Sequence, residues 1–267
     1  MMQIQPFTSS DIPFLTLLQP EGWPDVIPVY KFYTTSSFCY PIKITISNEL
    51  IGIGTTIIHD DVAWLAHIIV HPDYRNRGIG KHITDSLIES IDPRICKTIY
   101  LVATALGEPV YEKLGFETET EYLFYHNFTK DSSFAPSSNI VPYNKTYNEQ
   151  IKQLDQSVSG EDRFFHFEKY LSTAFVYVSH ARIEGYYIPD FHEGVIVANT
   201  SKAGVELMHL RLQSKENAAF PINNTTATAY MNIHGYVPFK TAKRMRLGEF
   251  REIDFTKMYN RIAGSIG

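Results

Sequence analysis

The stretch from Trp64 to Lys81, WLAHIIVHPDYRNRGIGK, constrains this chain more than any other. Its first seven residues are apolar enough for a strand, and Pro72 lies just beyond them. Gly78 and Gly80 then permit a tight turn into a helix that starts near Gly78. A strand feeding a helix through a glycine turn places the chain in the mixed α/β class, with helices laid against a sheet. The turn also has a chemical consequence. Without Cβ atoms at Gly78 and Gly80, backbone N–H groups from Asn76 to Lys81 can approach a diphosphate closely, and the first helical turn presents unpaired donors. The helix dipole, equivalent to about half a positive charge at that end, favours the same ligand. Arg75, Arg77 and Lys81 add cationic side chains at the rim, so an anion is expected here. A glycine turn by itself is a weak signal, because phosphate sites, helix starts and plain turns all use one.

The rest of the chain organises around this unit. At 267 residues it is long enough for two domains. Gln3–Pro6 reads as a first strand, Ser10 and Asp11 can cap a helix toward Leu18, and a second helix covers Asp25–Tyr33. Tyr40–Ser47 and Leu50–His59 form a hairpin about Asn48 and Glu49, and Ala63–Val70 is the third consecutive antiparallel strand. Residues 130–145 concentrate Ser, Pro and Asn without apolar period and read as a linker. The expected division is 1–129, the 130–145 linker, and 146–267. In the second part, helices are expected over Thr146–Asp155 and Glu161–Leu171, with strands over Ala174–Ser179, Arg182–Pro189 and Glu193–Ala198. A helix from Ser201 to Leu212, a strand near Ala218–Ile222, a helix from Thr225 to Ile233 and a strand from Val237 to Leu247 follow. That order repeats the later part of the first domain.

Composition excludes several function classes. Net charge is −5, and no window holds the dense Lys/Arg run that would track nucleic acid or an acidic membrane. Cys39 and Cys96 stand in no disulfide or metal-ligand spacing, and the histidines share none either, so no metal is expected. The first residues lack a basic segment followed by an apolar core, and no run of about 18 apolar residues occurs. A cytoplasmic protein with no membrane partner is expected.

Val70, Pro72, Arg75, Gly78 and Gly80 fall at the spacing Val-x-Pro-x-x-Arg-x-x-Gly-x-Gly, which resembles motif A of the GNAT acetyltransferase superfamily. The resemblance implies that Arg75, Asn76, Arg77, Gly78, Ile79, Gly80 and Lys81 hold the pyrophosphate of acetyl-CoA, chiefly through their amides. It implies that the strand at Ile68, Ile69 and Val70 pairs with the pantetheine arm. Downstream, Tyr111, Leu114, Gly115 and Phe116 resemble the ending of the family's motif B, whose Tyr commonly protonates the departing thiolate. Glu21–Gly22–Trp23, Gly160–Glu161–Asp162–Arg163 and Arg244–Met245–Arg246–Leu247–Gly248 resemble a two-domain branch of the family. The implied fold is an N-terminal GNAT domain plus a second, smaller GNAT-like α/β domain. Gly194 to Gly204 is one residue shorter than motif A and lacks Arg-x-x-Gly-x-Gly, so the second copy is expected to be degenerate and to bind no CoA.

The implied reaction is transfer of an acetyl or short acyl group from acetyl-CoA to an amine of unidentified acceptor, with Tyr111 as the acid. Such a transfer needs a neutral amine, a polarised carbonyl and a proton for the thiolate. Strand amides near Ile69 and Val70 can polarise the carbonyl. The base stays open among three candidates. In a regular strand His67 shares a face with Leu65 and Ile69, opposite Trp64, Ala66 and Ile68, away from where family members place a base. A strand bulge at His67 would reverse that parity. Asp25, beside Trp23 on the loop that roofs the family's acceptor site, is a second candidate, and a water chain is a third. Trp23 could stack on an acceptor amine. The competing readings are a non-catalytic acyl-CoA sensor and a scaffold that has lost the cofactor.

Overall fold

The computed structural model describes residues 2–129 and 135–267, so residues 130–134 of the expected linker lie outside the described residues. Two compact units emerge. The first comprises Met1–Glu117, Met245–Glu249 and Gly264–Ile266, and the second holds the remainder. The second unit, expected to be the smaller, takes the larger share of the chain because Thr118–Arg244 is continuous within it.

In the first unit, β1 (Met2–Pro6), α1 (Ile27–Tyr33), β2 (Cys39–Ile46), β3 (Glu49–His59), β4 (Val62–Val70), α2 (Ile79–Glu89), β5 (Thr98–Ala103) and α3 (Glu108–Lys113) follow in sequence. The strands lie in the order β1-β2-β3-β4-β5, antiparallel except for the parallel β4–β5 pair. The first expected α-helix is instead a 3-10 helix over Ser9–Leu17 with Pro13 inside it. Proline has no N–H to give to an α-helical ladder, which accounts for the tighter turn. α1 begins at Ile27 rather than Asp25, because the Asp25 carboxylate accepts from the Ile27 amide at 2.9 Å and so stands outside the helix.

α2 buries Ile79, Ile83 and Leu87 against the sheet. Gly52 and Gly54 on β3 make that approach possible. A Cβ at Gly52 would stand 2.9 Å from Ile83 Cδ1, and one at Gly54 2.7 Å from Ile83 Cγ2. Ala63, Leu65, Ile99 and Leu101 complete the same apolar cluster with Tyr111, Phe116 and Met245.

The second unit contains β6 (Glu117–His126) apart from its first residue, β7 (Ile140–Pro142), α4 (Asn148–Ser159) and α5 (Phe164–Phe167). β8 (Phe175–Ser179), β9 (Arg182–Ile188), β10 (Val195–Ala198), α6 (Ser201–Leu212), β11 (Asn217–Pro221) and α7 (Thr225–Ile233) follow. The chain ends through β12 (Lys240–Gly248), whose last residues belong to the first unit, and β13 (Met258–Asn260). One sheet of this unit runs β13-β10-β9-β8-β7, with antiparallel neighbours throughout. The presumed linker therefore contributes β7, an edge strand, where Pro142 costs no ladder bond to a further neighbour. The expected helix over Glu161–Leu171 is only the single turn of α5 followed by 3-10 turns at Glu168–Thr173. Glu161 and Arg163 are buried there, and their ion pairs hold the chain in irregular turns against its helical propensity.

Packing on α6 yields a direct test. A Cβ at Gly204 would lie 2.1 Å from the ring of the buried Tyr259. Gly204→Ala should therefore destabilise the protein by roughly 3 kcal/mol, the upper part of the usual overpacking range, read as a lower urea midpoint with an unchanged slope. No loss would mean that Tyr259 can move off the helix.

Candidate active site

The site is built where β4 and β5 part. Their parallel pairing runs from Val62 opposite Thr98 to Leu65 opposite Leu101 and stops there, although β4 continues to Val70 and β5 to Ala103. Ala66 to Val70 thus keep their ladder with β3 on one side and line an open fork on the other. Ile69 is buried, whereas Ile68 and Val70 are half-buried.

The regular alternation expected for β4 breaks at His67. Ile53 pairs with Ile69 and Thr55 with Ala66, so two residues of β4, His67 and Ile68, stand opposite the single Gly54. His67 has φ +48, a left-handed conformation uncommon for a non-glycine residue, and the break is a β-bulge. The bulge corrects the expected parity. Ile68 joins the α2 face, where its Cγ1 is 3.5 Å from a Cβ placed at Gly54, while His67 sits opposite Leu65 among α1 side chains. The Tyr33 hydroxyl is 3.0 Å from His67 Nδ1, and the Tyr30 hydroxyl donates to the His67 carbonyl at 3.3 Å. Trp23 meets the imidazole edge-on with ring centroids 6.2 Å apart. Trp23 and His67 are therefore brought together, whereas the exposed Asp25 carboxylate is engaged in its own turn.

Beyond β4, Arg75 Nε donates to the Val70 carbonyl at 3.2 Å, tying the turn to the strand end. Arg75, Asn76, Arg77 and Gly78 are exposed, Arg77 lies over the Tyr74 ring, and Lys81 pairs with Asp85 at 2.6 Å. Gly78 is the N-cap of α2 with φ +79, and no side chain caps the helix. Nothing lies within 4 Å of a Cβ at Gly78, and a Cβ at Gly80 would meet only Val70 Cγ2 at 3.8 Å. The amides of Ile79, Gly80 and Lys81 thus begin a helix whose mouth the protein leaves open, while the Ile79 side chain is buried in the core.

Tyr111 on α3 is buried, with its hydroxyl 3.2 Å from a Cβ placed at Gly107. Burial raises its pKa well above the ordinary tyrosine value. Its ring packs in the cluster that contains Leu65 and Leu101, the last paired residues of the fork. Among the described residues no group of three or more His, Cys, Asp or Glu side chains could hold a metal, and no helix is long and apolar enough to cross a membrane. Tyr30 and Tyr33 were not singled out in the sequence. Their i, i+3 spacing, which puts both on one face of α1, was the available signal.

Residues 39–118 match the family model of the acetyltransferase (GNAT) domain. All but the last residue of this match lies in the first unit. The match to this domain opens at the first residue of β2 and takes in the fork, the glycine turn and Tyr111. A ribosomal protein bS18-alanine N-acetyltransferase of Salmonella typhimurium is 30% identical over 82 residues, which are 30% of this chain and 55% of that protein. The chain thus spans about half the length of the curated relatives it matches. A crystal structure from Pyrococcus horikoshii, provisionally described as an acetyltransferase, superposes with a TM-score of 0.84 at 22% identity, covering 100% of this chain and 96% of that one. A tandem GNAT protein from the clavulanic acid biosynthesis pathway gives 0.62 at 11% identity, covering 94% of this chain and 100% of that one. These likenesses show a shared mixed α/β fold over nearly the whole chain.

Proposed function

We propose that the protein transfers an acetyl group from acetyl-CoA to an amine. The observation that carries this reading is the uncapped, glycine-led start of α2 beside the open fork of β4 and β5. A diphosphate at Asn76–Lys81 would receive several amide hydrogen bonds and the positive end of the helix dipole, with Arg75 and Arg77 at the rim. The pantetheine arm would lie along Ile68–Val70 and take up the ladder bonds that β5 leaves unmade. Trp23 would face the acceptor, with Asp25 at the edge of its loop.

The second unit is proposed to be a degenerate GNAT-like domain that binds no CoA. At the start of α6 the Thr200 side chain accepts from the Ala203 amide, and the Tyr259 ring fills the space over Gly204. The two features that keep the start of α2 open are both absent there.

A thiol-release assay with acetyl-CoA and a panel of amines tests the proposal, and the panel should include a peptide with an N-terminal alanine, in view of the bS18-alanine acetyltransferases. CoA-dependent thermal stabilisation without turnover on any amine would favour the sensor, a reading to which the burial of Tyr111 lends itself. For an active enzyme, Tyr111→Phe should keep acetyl-CoA affinity and lower kcat by about 10²-fold, the lower end for a positioned acid. Burial keeps the phenol protonated at neutral pH, so its proton is in place when the thiolate departs. An unchanged kcat would leave Tyr111 as a packing residue.

A further inference from the structure

His67 combines three properties that regular strand geometry would not give it. It sits two residues past the last β4–β5 pair, at the mouth of the fork. Its side chain is turned by the bulge onto the face of Ala66, so that face carries two successive side chains. Its ring is enclosed edge-on by Trp23, Tyr30 and Tyr33, with centroids 6.2, 6.1 and 5.6 Å away.

A left-handed non-glycine residue inside a strand persists only where its surroundings over-determine it. Here the Tyr30 hydroxyl holds the carbonyl and the Tyr33 hydroxyl holds Nδ1. The Tyr33 phenol itself is buried. The Tyr33 contact occupies Nδ1. In the tautomer whose Nδ1–H donates to the Tyr33 oxygen, Nε2 is the proton-accepting nitrogen.

We propose that His67 is the proton acceptor for the amine, that Tyr33 is its positioning residue, and that the Trp23 ring is the wall against which the acceptor ammonium rests. The assignment rests on the acetyltransferase reading above. In the reaction, Nε2 takes one proton from the ammonium and passes it to solvent. The neutral amine attacks the thioester carbonyl, so the C–N bond forms. As the C–S bond breaks, the thiolate takes up a proton from Tyr111, and the proton shed by the attacking nitrogen restores that phenol. One ammonium and one acetyl-CoA give one amide, one free thiol and one released proton. The titratable groups facing the imidazole from α1 are the phenols of Tyr30 and Tyr33, both raised by burial and so neutral throughout the imidazole range. Neither phenol can then act as the base, so a change in the acid limb on replacing residue 67 reports on the imidazole.

The test uses the full chain, acetyl-CoA, and an amine turned over by wild type. His67→Gln should leave acetyl-CoA affinity unchanged, lower kcat/KM for the amine by about 10²-fold or more, and remove the acid limb of its pH profile. Tyr33→Phe should keep that limb but displace it, with a smaller loss, and Trp23→Ala should raise the amine KM with little change in acetyl-CoA affinity. A His67→Gln enzyme that keeps both the rate and the acid limb overturns the assignment. A wild type that acetylates no amine overturns the acetyltransferase reading, and the assignment falls with it. Circular dichroism on each variant separates these outcomes from misfolding, and a His67→Gln protein that fails to fold transfers the decision to the pH profile of Tyr33→Phe. An undisplaced limb there overturns the proposal.

Discussion

Gly78→Val should abolish acetyl-CoA binding while the protein stays folded. At φ +79 the valine costs the fold roughly 1–2 kcal/mol of backbone strain. No protein atom lies within 4 Å of the new Cβ, so no clash adds to that cost. The ligand has no such latitude, because the added methyls enter the open space before the first amides of α2. Losing two charge-assisted hydrogen bonds, at about 1.5–3 kcal/mol each, corresponds to at least about 100-fold in affinity. Calorimetric titration with acetyl-CoA measures the loss, and thermal unfolding of the same sample shows that the fold survives. Equal affinity in the two proteins would place the cofactor somewhere other than this turn.

The second large effect concerns stability and lies in the second unit. Arg244 is fully buried and donates to Glu119 at 3.1 Å and to Glu161 at 3.2 Å. Removing a guanidinium shared by two buried carboxylates takes away the charge that pairs them, and breaking such a buried pair typically costs about 3–5 kcal/mol. Arg244→Met should produce a loss of that size, measured by denaturant unfolding at neutral pH. A variant as stable as the wild type would mean that Glu119 and Glu161 are held without this guanidinium. Arg163, held by Asp155 at 3.0 Å and by a short contact between Asp155 and Tyr186, belongs to a similar buried network.

Much of this molecule was legible before its structure. The helices Ser201–Leu212 and Thr225–Ile233 start and stop where the sequence placed them, since Thr200 and Asn224 cap them through their own side chains. The glycine turn was legible for the same reason, as Gly78 stands at a backbone conformation that few other residues tolerate. What escaped the sequence depends on partners far away along the chain. Nothing near residues 161–171 announces that Glu161 and Arg163 will be drawn inside by Arg244 and Asp155. The three residues of β7 owe their strand to Phe175–Tyr177, and β13 owes its place to β10. Regular alternation put His67 on the wrong face because it is a rule of unbroken strands, and the bulge named as the alternative is what forms. The exception is dictated by Tyr30 and Tyr33, 37 and 34 residues away.

The bulge in β4 lets one strand answer to two masters. Val62–Val70 supplies nine residues against the eight of β3 from Gly52 to His59, and the register on either side of the break is that of an ordinary antiparallel ladder. To the core, β4 is a strand of eight positions, filled by residues such as Ala63, Leu65 and Ile68. The ninth position is packed by α1 and Trp23 instead of by the sheet's core. Selection on the chemistry can therefore act at residue 67 without repacking the sheet, and selection on the core can act at its neighbours without re-aiming the imidazole.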